Sequence, residues 1–468
     1  MIIYNRIPRG LAVAGLAASL ILTACGGGGE SGSVGAGAPA ATTVGSISGF
    51  GSVIVNGVRF DDSAARVTDD ADNSISSSSL GLGTTVEVSG SVNDDGTGSA
   101  SSINVFSEVQ GPISNLNAGT FSILGFNVSV DGATVFAGFS GLSSLFNGNI
   151  VEVHGTRSGN AITATRIELK TPGVGDTLIK IRGQIANRTA STFTIGSVTV
   201  NYASAQVSPN LAAIVNDAYV KVRSTSVATG NTVTASRVQV VGNRPFGFAD
   251  GGKSEIEGVV SDFVSLSQFK VGGMVVNASN ASFVRGVKGT IANGTRLEVK
   301  GVYNNNVITA SKVKFEDGAR TDEFELHGVV SNFTSLSKFV VRGVTVDASG
   351  SGVLFERGIA SEIANGRALE VEGSIHSGVN GSVLHASKVK FEDVSGSGLS
   401  AAEIEFKGTV GSVSGNTLVI GTRTVTLTSS TVFRRMNKEE IDVGAFLEIK
   451  GKLQSDGSVI AERISLED

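Results

Sequence analysis

A five-residue strand pattern, Val-Glu-Val-x-Gly, recurs along the chain, and no other feature limits its possible folds as strongly. It appears as VEVSG at 86–90, VEVHG at 151–155, VKVRS at 220–224, LEVKG at 297–301, LEVEG at 369–373 and LEIKG at 447–451. Each copy is followed by Ala-x-x-(Ile/Val): ASSI at 100–103, ATRI at 164–167, ASRV at 235–238, ASKV at 310–313, ASKV at 386–389 and AERI at 461–464. Each is preceded by an opener: VGSI at 44–47, QGPI at 110–113, RGQI at 182–185, EGVV at 257–260, HGVV at 327–330 and KGTV at 407–410. Three anchors in fixed order, six times over, describe a tandem array of one small unit rather than a single large core. The expected modules are 44–107, 108–172, 173–244, 245–318, 319–396 and 397–468, with four and five near-duplicates.

Within the anchors apolar and polar residues alternate, as in Leu369-Glu370-Val371-Glu372, the period of a half-buried strand. Gly159-Asn160, Asn304 to Asn306 and Asn380-Gly381 lie where a hairpin turn needs positive φ. Each module reads as three strands, a short helical turn and two more strands; Asn437-Lys438-Glu439-Glu440 shows the turn, with a capping Asn and acids at its start. This all-β layout predicts six tandem five-stranded OB-like barrels, with small β-sandwiches as the alternative. One cysteine permits no internal disulfide, so barrel closure is the available way to satisfy strand edges. Phe121, Phe193, Phe269 and Phe339 share one position in the second strand and are expected in the cores.

Residues 1–24 read as an export signal: Arg6 and Arg9 precede a 14-residue apolar run, too short to span a ~30 Å hydrocarbon layer. Leu22-Thr23-Ala24-Cys25 resembles the lipobox of bacterial lipoproteins, which implies acylation of Cys25 (a palmitate-type anchor) and, with Gly26 following, the outer membrane. Residues 25–43 read as a Gly/Ser/Ala-rich tether with a span of roughly 25 Å. The tandem openers, strands and closers also resemble a family of uncharacterised bacterial lipoproteins with repeated small β-barrel modules, catalogued as a domain of unknown function. The resemblance runs over about 44–468, is weakest in the loop Asp61 to Leu82, and implies no activity.

A formal charge of −5 offers no attraction for nucleic acid. The recurrent glutamate of the strand anchor (Glu87, Glu152, Glu298, Glu370, Glu448, replaced by Lys221 in module three) alternates outward and is expected on a solvated wall. His376 and His385 are the candidate metal ligands: a two-residue turn at Asn380-Gly381 would set them directly opposite, but two imidazoles lack a third ligand. His154 and His327 stand alone and are expected at the surface or an edge. Asp61, Asp62, Asp69, Asp70 and Asp72 could attract Ca²⁺ but lack the spacing of a calcium loop, so a solvated loop is expected. The absence of Trp argues against a sugar platform, leaving Tyr303 beside its Asn run as the one aromatic in an expected binding loop.

These readings converge on a non-enzymatic, lipid-anchored envelope protein for binding, adhesion or spacing, needing no cofactor. Its partners would be the membrane, through the lipid, and an envelope protein or polysaccharide. A straight string of such modules would reach roughly 150 Å. Linkers such as 242–253 leave rod and flexible string both open, and the face of the outer membrane is left open as well. The alternatives are a periplasmic metal-assisted hydrolase using His376 and His385, and an OB-type array binding anionic glycans through Lys270, Arg285, Lys338 and Arg342.

Overall fold

The computed structural model describes residues 40–173, 175–316, 324–378, 381–392, 403–420, 423–434, 436–453 and 458–466. The expected export signal, Cys25 and most of the expected tether lie outside the described residues. The tether's end is shorter than expected, because Ala40–Phe50 is a strand whose first residues pair with 88–91.

Segment four shows the recurring unit. Its opening strand Lys253–Ser265 pairs antiparallel with Gln268–Val271, which pairs with Met274–Asn277. That third strand runs parallel to the last strand Val307–Phe315. The last strand pairs antiparallel with Arg296–Asn304, which returns antiparallel to the opening strand and closes a five-stranded ring. Segments one, five and six close in the same order, and segment two closes through a Ser114–Ser122 bridge. The units are therefore barrels and not sandwiches. One element escapes the sequence pattern: a three-residue strand, such as Ser282–Val284, that runs parallel to the last strand. The expected helical turn is three residues of 3₁₀ helix, as at Lys288–Thr290. At Lys438–Glu440 it carries the expected acidic partner, the Asn437 N–H donating to Glu440 Oε2 at 2.8 Å. No α-helix occurs among the described residues.

The glycine of the strand anchor has a geometric cause. The ladder slips by one residue at Lys300/Gly301, and at the corresponding place in segments one, two, five and six. A Cβ at Gly301 would fall on the carbonyl oxygen of Thr309, so the bulge admits only glycine. Phe121, Phe193, Phe269 and Phe339 are all fully buried.

Segments one to five are fused rather than strung. Segment one's opening strand pairs in parallel with that of segment four, Ala41 to Val44 against Lys253 to Ile256, and further on with that of segment five, Gly49 and Phe50 against Glu325 and Leu326. Val109 and Gln110 of segment two pair with Ile181 and Lys180 of segment three. Apolar packing is continuous between segments one and five, and between two and three. The expected linker 242–253 is part of this packing: Phe246 and Phe248 are buried in the core of segment four. Pairing opening strands covers backbone edges that separate beads would leave to water.

Candidate functional site

Segments one to four meet around a cavity of about 410 Å³, the size of a small-molecule site. Arg182 stands on its wall, buried, with its guanidinium carbon 4.3 Å from the Phe106 ring centre, 4.9 Å from Phe246 and 5.3 Å from Tyr219. Its Nε donates to Tyr219 Oη at 2.9 Å. Arg157 lies over Phe126 at 5.4 Å and donates to the Arg182 carbonyl at 2.8 Å. Two planar cations held on aromatic faces resist hydration and present flat, charged surfaces. Met274 and Val275 add an apolar side, and the Thr156 hydroxyl on the wall is buried with no hydrogen-bond partner among the described residues. The acids of the wall face cations: Glu108 is 3.5 Å from Arg157, Asp262 is 2.8 Å from Lys270, and Glu257 pairs with Arg296. Such a wall offers shape and charge to a bound molecule.

Burial and ion pairing overturn the expected solvated wall. Glu152, Glu298 and Glu370 are buried, each under lysines: Lys180 at 2.6 Å and Lys170 at 2.9 Å on Glu152, Lys314 at 3.1 Å on Glu298, and Lys390 on Glu370. Burial pushes the Glu152 carboxyl up, but Lys180, His154 and Lys170 overcome it and hold it well below the usual range. Glu87 accepts the Gly247 N–H at 3.0 Å, and Lys221 reaches Asp72 at 3.3 Å.

The acidic loop is a docking loop. Asp70 is buried and accepts the Ser107 hydroxyl at 2.6 Å, burial pushing its carboxyl up against the pull of Lys180. Its carbonyl accepts from Arg223 of segment three, and Asp72 accepts from Gln239 at 2.7 Å. Asp69 is used by its own turn, accepting the Ala71 N–H at 2.7 Å. These oxygens serve the protein's own donors.

The histidines also move from their expected places. His154 is buried, its Nδ1 2.8 Å from the Phe106 carbonyl, and burial pushes its pKa down. His376 and His385 are not directly opposite: Gly378 pairs with Gly381, so His376 faces Val383 and His385 faces Ser374. Each residue's partner is offset by two from the one that a turn at Asn380-Gly381 requires, and Asn380 itself lies outside the described residues. Their rings still meet diagonally, with centres 4.8 Å apart, and Asp347 Oδ2 lies 3.6 Å from His385 Nδ1. Tyr303 is fully buried against Phe248, its hydroxyl donating to Asn306 at 2.8 Å, and is no binding-loop platform. Of the four glycan candidates, Lys270 lines the cavity, Arg342 Nε donates to the His327 carbonyl at 2.8 Å, Arg285 has positive φ, and Lys338 begins a strand opposite Ser335. Tandem spacing foretold nothing of the cavity, which is made by contacts between segments remote in sequence.

Fold and site define an array of small closed β-barrels, the first five fused in part through their opening strands, with a cavity shared by segments one to four. The chain belongs to the family described as Domain of unknown function (DUF5666), whose model matches residues 43–104, 110–168, 257–314, 327–390 and 407–465. No curated protein matches it. The matched modules number five, not the six expected. The stretch 173–244 is not matched, although its elements follow the same order with the last strand split into Thr232–Thr234 and Arg237–Gly242.

Proposed function

We propose that the chain is a non-catalytic, lipid-anchored envelope protein that binds a small amphipathic molecule in the cavity between segments one and four. The cavity, with Arg182 stacked between Phe106, Phe246 and Tyr219, carries this reading. The barrels are read as OB-like, because third and last strands run parallel within a ring that otherwise alternates. Acylation of Cys25 holds the array at the outer membrane, and the fused segments act as one rigid binding body.

Native mass spectrometry of the chain extracted from its own membrane tests the binding, with Val275→Trp filling the cavity from its rim. The wild-type chain is expected to carry a bound small molecule that the folded variant lacks. A bare wild-type chain, or equal loading of both, overturns the reading. Intact mass of the same sample reports acyl chains on Cys25, and Cys25→Ser should shed them. Protease shaving of intact cells decides between a surface and a periplasmic face. A hydrolase reading draws on His376, His385 and Asp347, and requires that a His376→Ala/His385→Ala variant lose a hydrolytic activity of the wild-type chain.

A further inference from the structure

We propose that Glu325, His327 and Glu370 bind one divalent transition-metal ion at the seam between segments one and five, with Glu392 as the positioning residue for the imidazole. The opening strand of segment five sets Glu325 and His327 on one face, and its ladder places His327 opposite Glu370. One potential ligand atom from each of the three lies within 4.8 Å of the other two, so modest side-chain shifts would seat an ion.

Glu392 is the independent observation. Its side chain is 8% exposed, and Oε1 lies 3.3 Å from His327 Nδ1. Its other oxygen is buried with no hydrogen-bond partner among the described residues. A buried carboxylate on Nδ1 fixes the proton there and turns Nε2 toward the ligand position, the support that metal-bound histidines use. His327 Nε2 faces Glu325 Oε1, the carboxylate that would share the ion.

Charge permits the exchange. Lys390 pairs with Glu370 and Lys388 pairs with Glu372 at 2.7 Å, which leaves Glu325 facing Arg59 and Glu392 facing His327. Arg59 of segment one, 44% exposed, contacts Glu325 at 2.6 Å and lies 3.4 Å from His327 Nε2, so its guanidinium occupies the ligand position. A divalent ion displacing that guanidinium supplies in its place the positive charge that these carboxylates face. Segment four carries Glu257, Arg296 and Lys300 where segment five has His327, Ala368 and Glu372. The duplicate with the imidazole is thus the one that lacks two cations. One nitrogen and two carboxylates suit Zn²⁺, Mn²⁺ or Fe²⁺, with water completing the shell, and do not suit a thiophilic ion.

Calorimetric titration of the full chain with Zn²⁺ and with Mn²⁺ tests the site. One equivalent is expected, weakened at least about 100-fold in His327→Ala and about 10- to 100-fold in Glu392→Gln. Arg59→Ala removes the competing cation and should tighten binding several-fold, a gain that no folding defect imitates. The His376→Ala/His385→Ala variant, which tests the hydrolase reading, should bind the ion as wild type does. Absence of a stoichiometric equivalent, binding that survives His327→Ala, or weaker binding in Arg59→Ala overturns the proposal.

Discussion

Segments four and five are near-copies in sequence and share a strand register, yet their charged faces are wired differently. In segment four, Arg296 pairs with Glu257 and Lys300 reaches Glu255 at 3.0 Å, all within one barrel. In segment five, Ala368 and Glu372 occupy the places of those two cations, and the guanidinium comes instead from Arg59 of segment one. The buried face tells the opposite story: Phe269 and Phe339 occupy the same position and are equally enclosed. Duplication preserved what close packing demands, while the outer face changed with what packs against it.

The cores should therefore break alike. Phe269→Ala and Phe339→Ala are each expected to cost about 3–5 kcal/mol, the range for emptying a packed aromatic site. Denaturant unfolding followed with a probe in each segment measures both, and unequal losses would show that the two cores are not equivalent. The charged faces should break unequally. Arg296→Ala strips the guanidinium from Glu257, whose side chain is 11% exposed, and should cost about 3 kcal/mol as a largely buried pair does.

Glu255 gives segment four a pH dependence of its own. It sits beside Thr43 in the seam with segment one. Burial pushes its carboxyl up to about 7, with Lys300 opposing and Glu298 adding to the shift. The native state then holds a proton that the unfolded chain releases above its ordinary value of 4.5, so stability falls as pH rises from there to about 7. Glu255→Gln should flatten that slope, gaining on the order of 2 kcal/mol over wild type at pH 8 relative to pH 5. Thermal melts of both proteins across this range check the sign; a difference that shrinks with rising pH contradicts it.

What could be read from the sequence follows from the range of the forces involved. Strand anchors, hairpin turns, the 3₁₀ turn and the buried Phe positions are local or period-two features, and alternation in residues such as Leu369 to Glu372 exposes them. The bulge at Gly301 was visible only as a recurring glycine whose reason lies across the ladder at Thr309. Alternation told which residues leave the barrel core, but not that another barrel covers Glu152 or His154. The fused seams join residues such as Ala41 and Lys253, far apart in the chain and without a charge or motif to advertise the pairing. The cavity, the docking of Asp70 and the Glu325–His327–Glu370 cluster all depend on those seams. The histidine pair failed by register: an offset of two residues in the pairing sets His376 against Val383 rather than His385.

The weakest contact is the sharpest discriminator between the two segments. Arg59 and Glu325 approach to 2.6 Å, closer than many buried pairs, but the arginine is 44% exposed and water screens it. An exposed pair of this kind contributes less than about 1 kcal/mol, far below what Arg296 supplies to Glu257. A double-mutant cycle of Arg59→Ala with Glu325→Gln should give a coupling below that value, falling further from about 0.05 M to about 0.5 M salt as the screening length contracts. Apolar packing and the Gly49–Glu325 and Phe50–Leu326 pairing would then hold segment five to segment one, leaving Arg59 as a replaceable cation. A salt-insensitive coupling as large as that of Arg296 with Glu257 would mean that charge holds the seam, and the two segments would differ only in which barrel supplies the guanidinium.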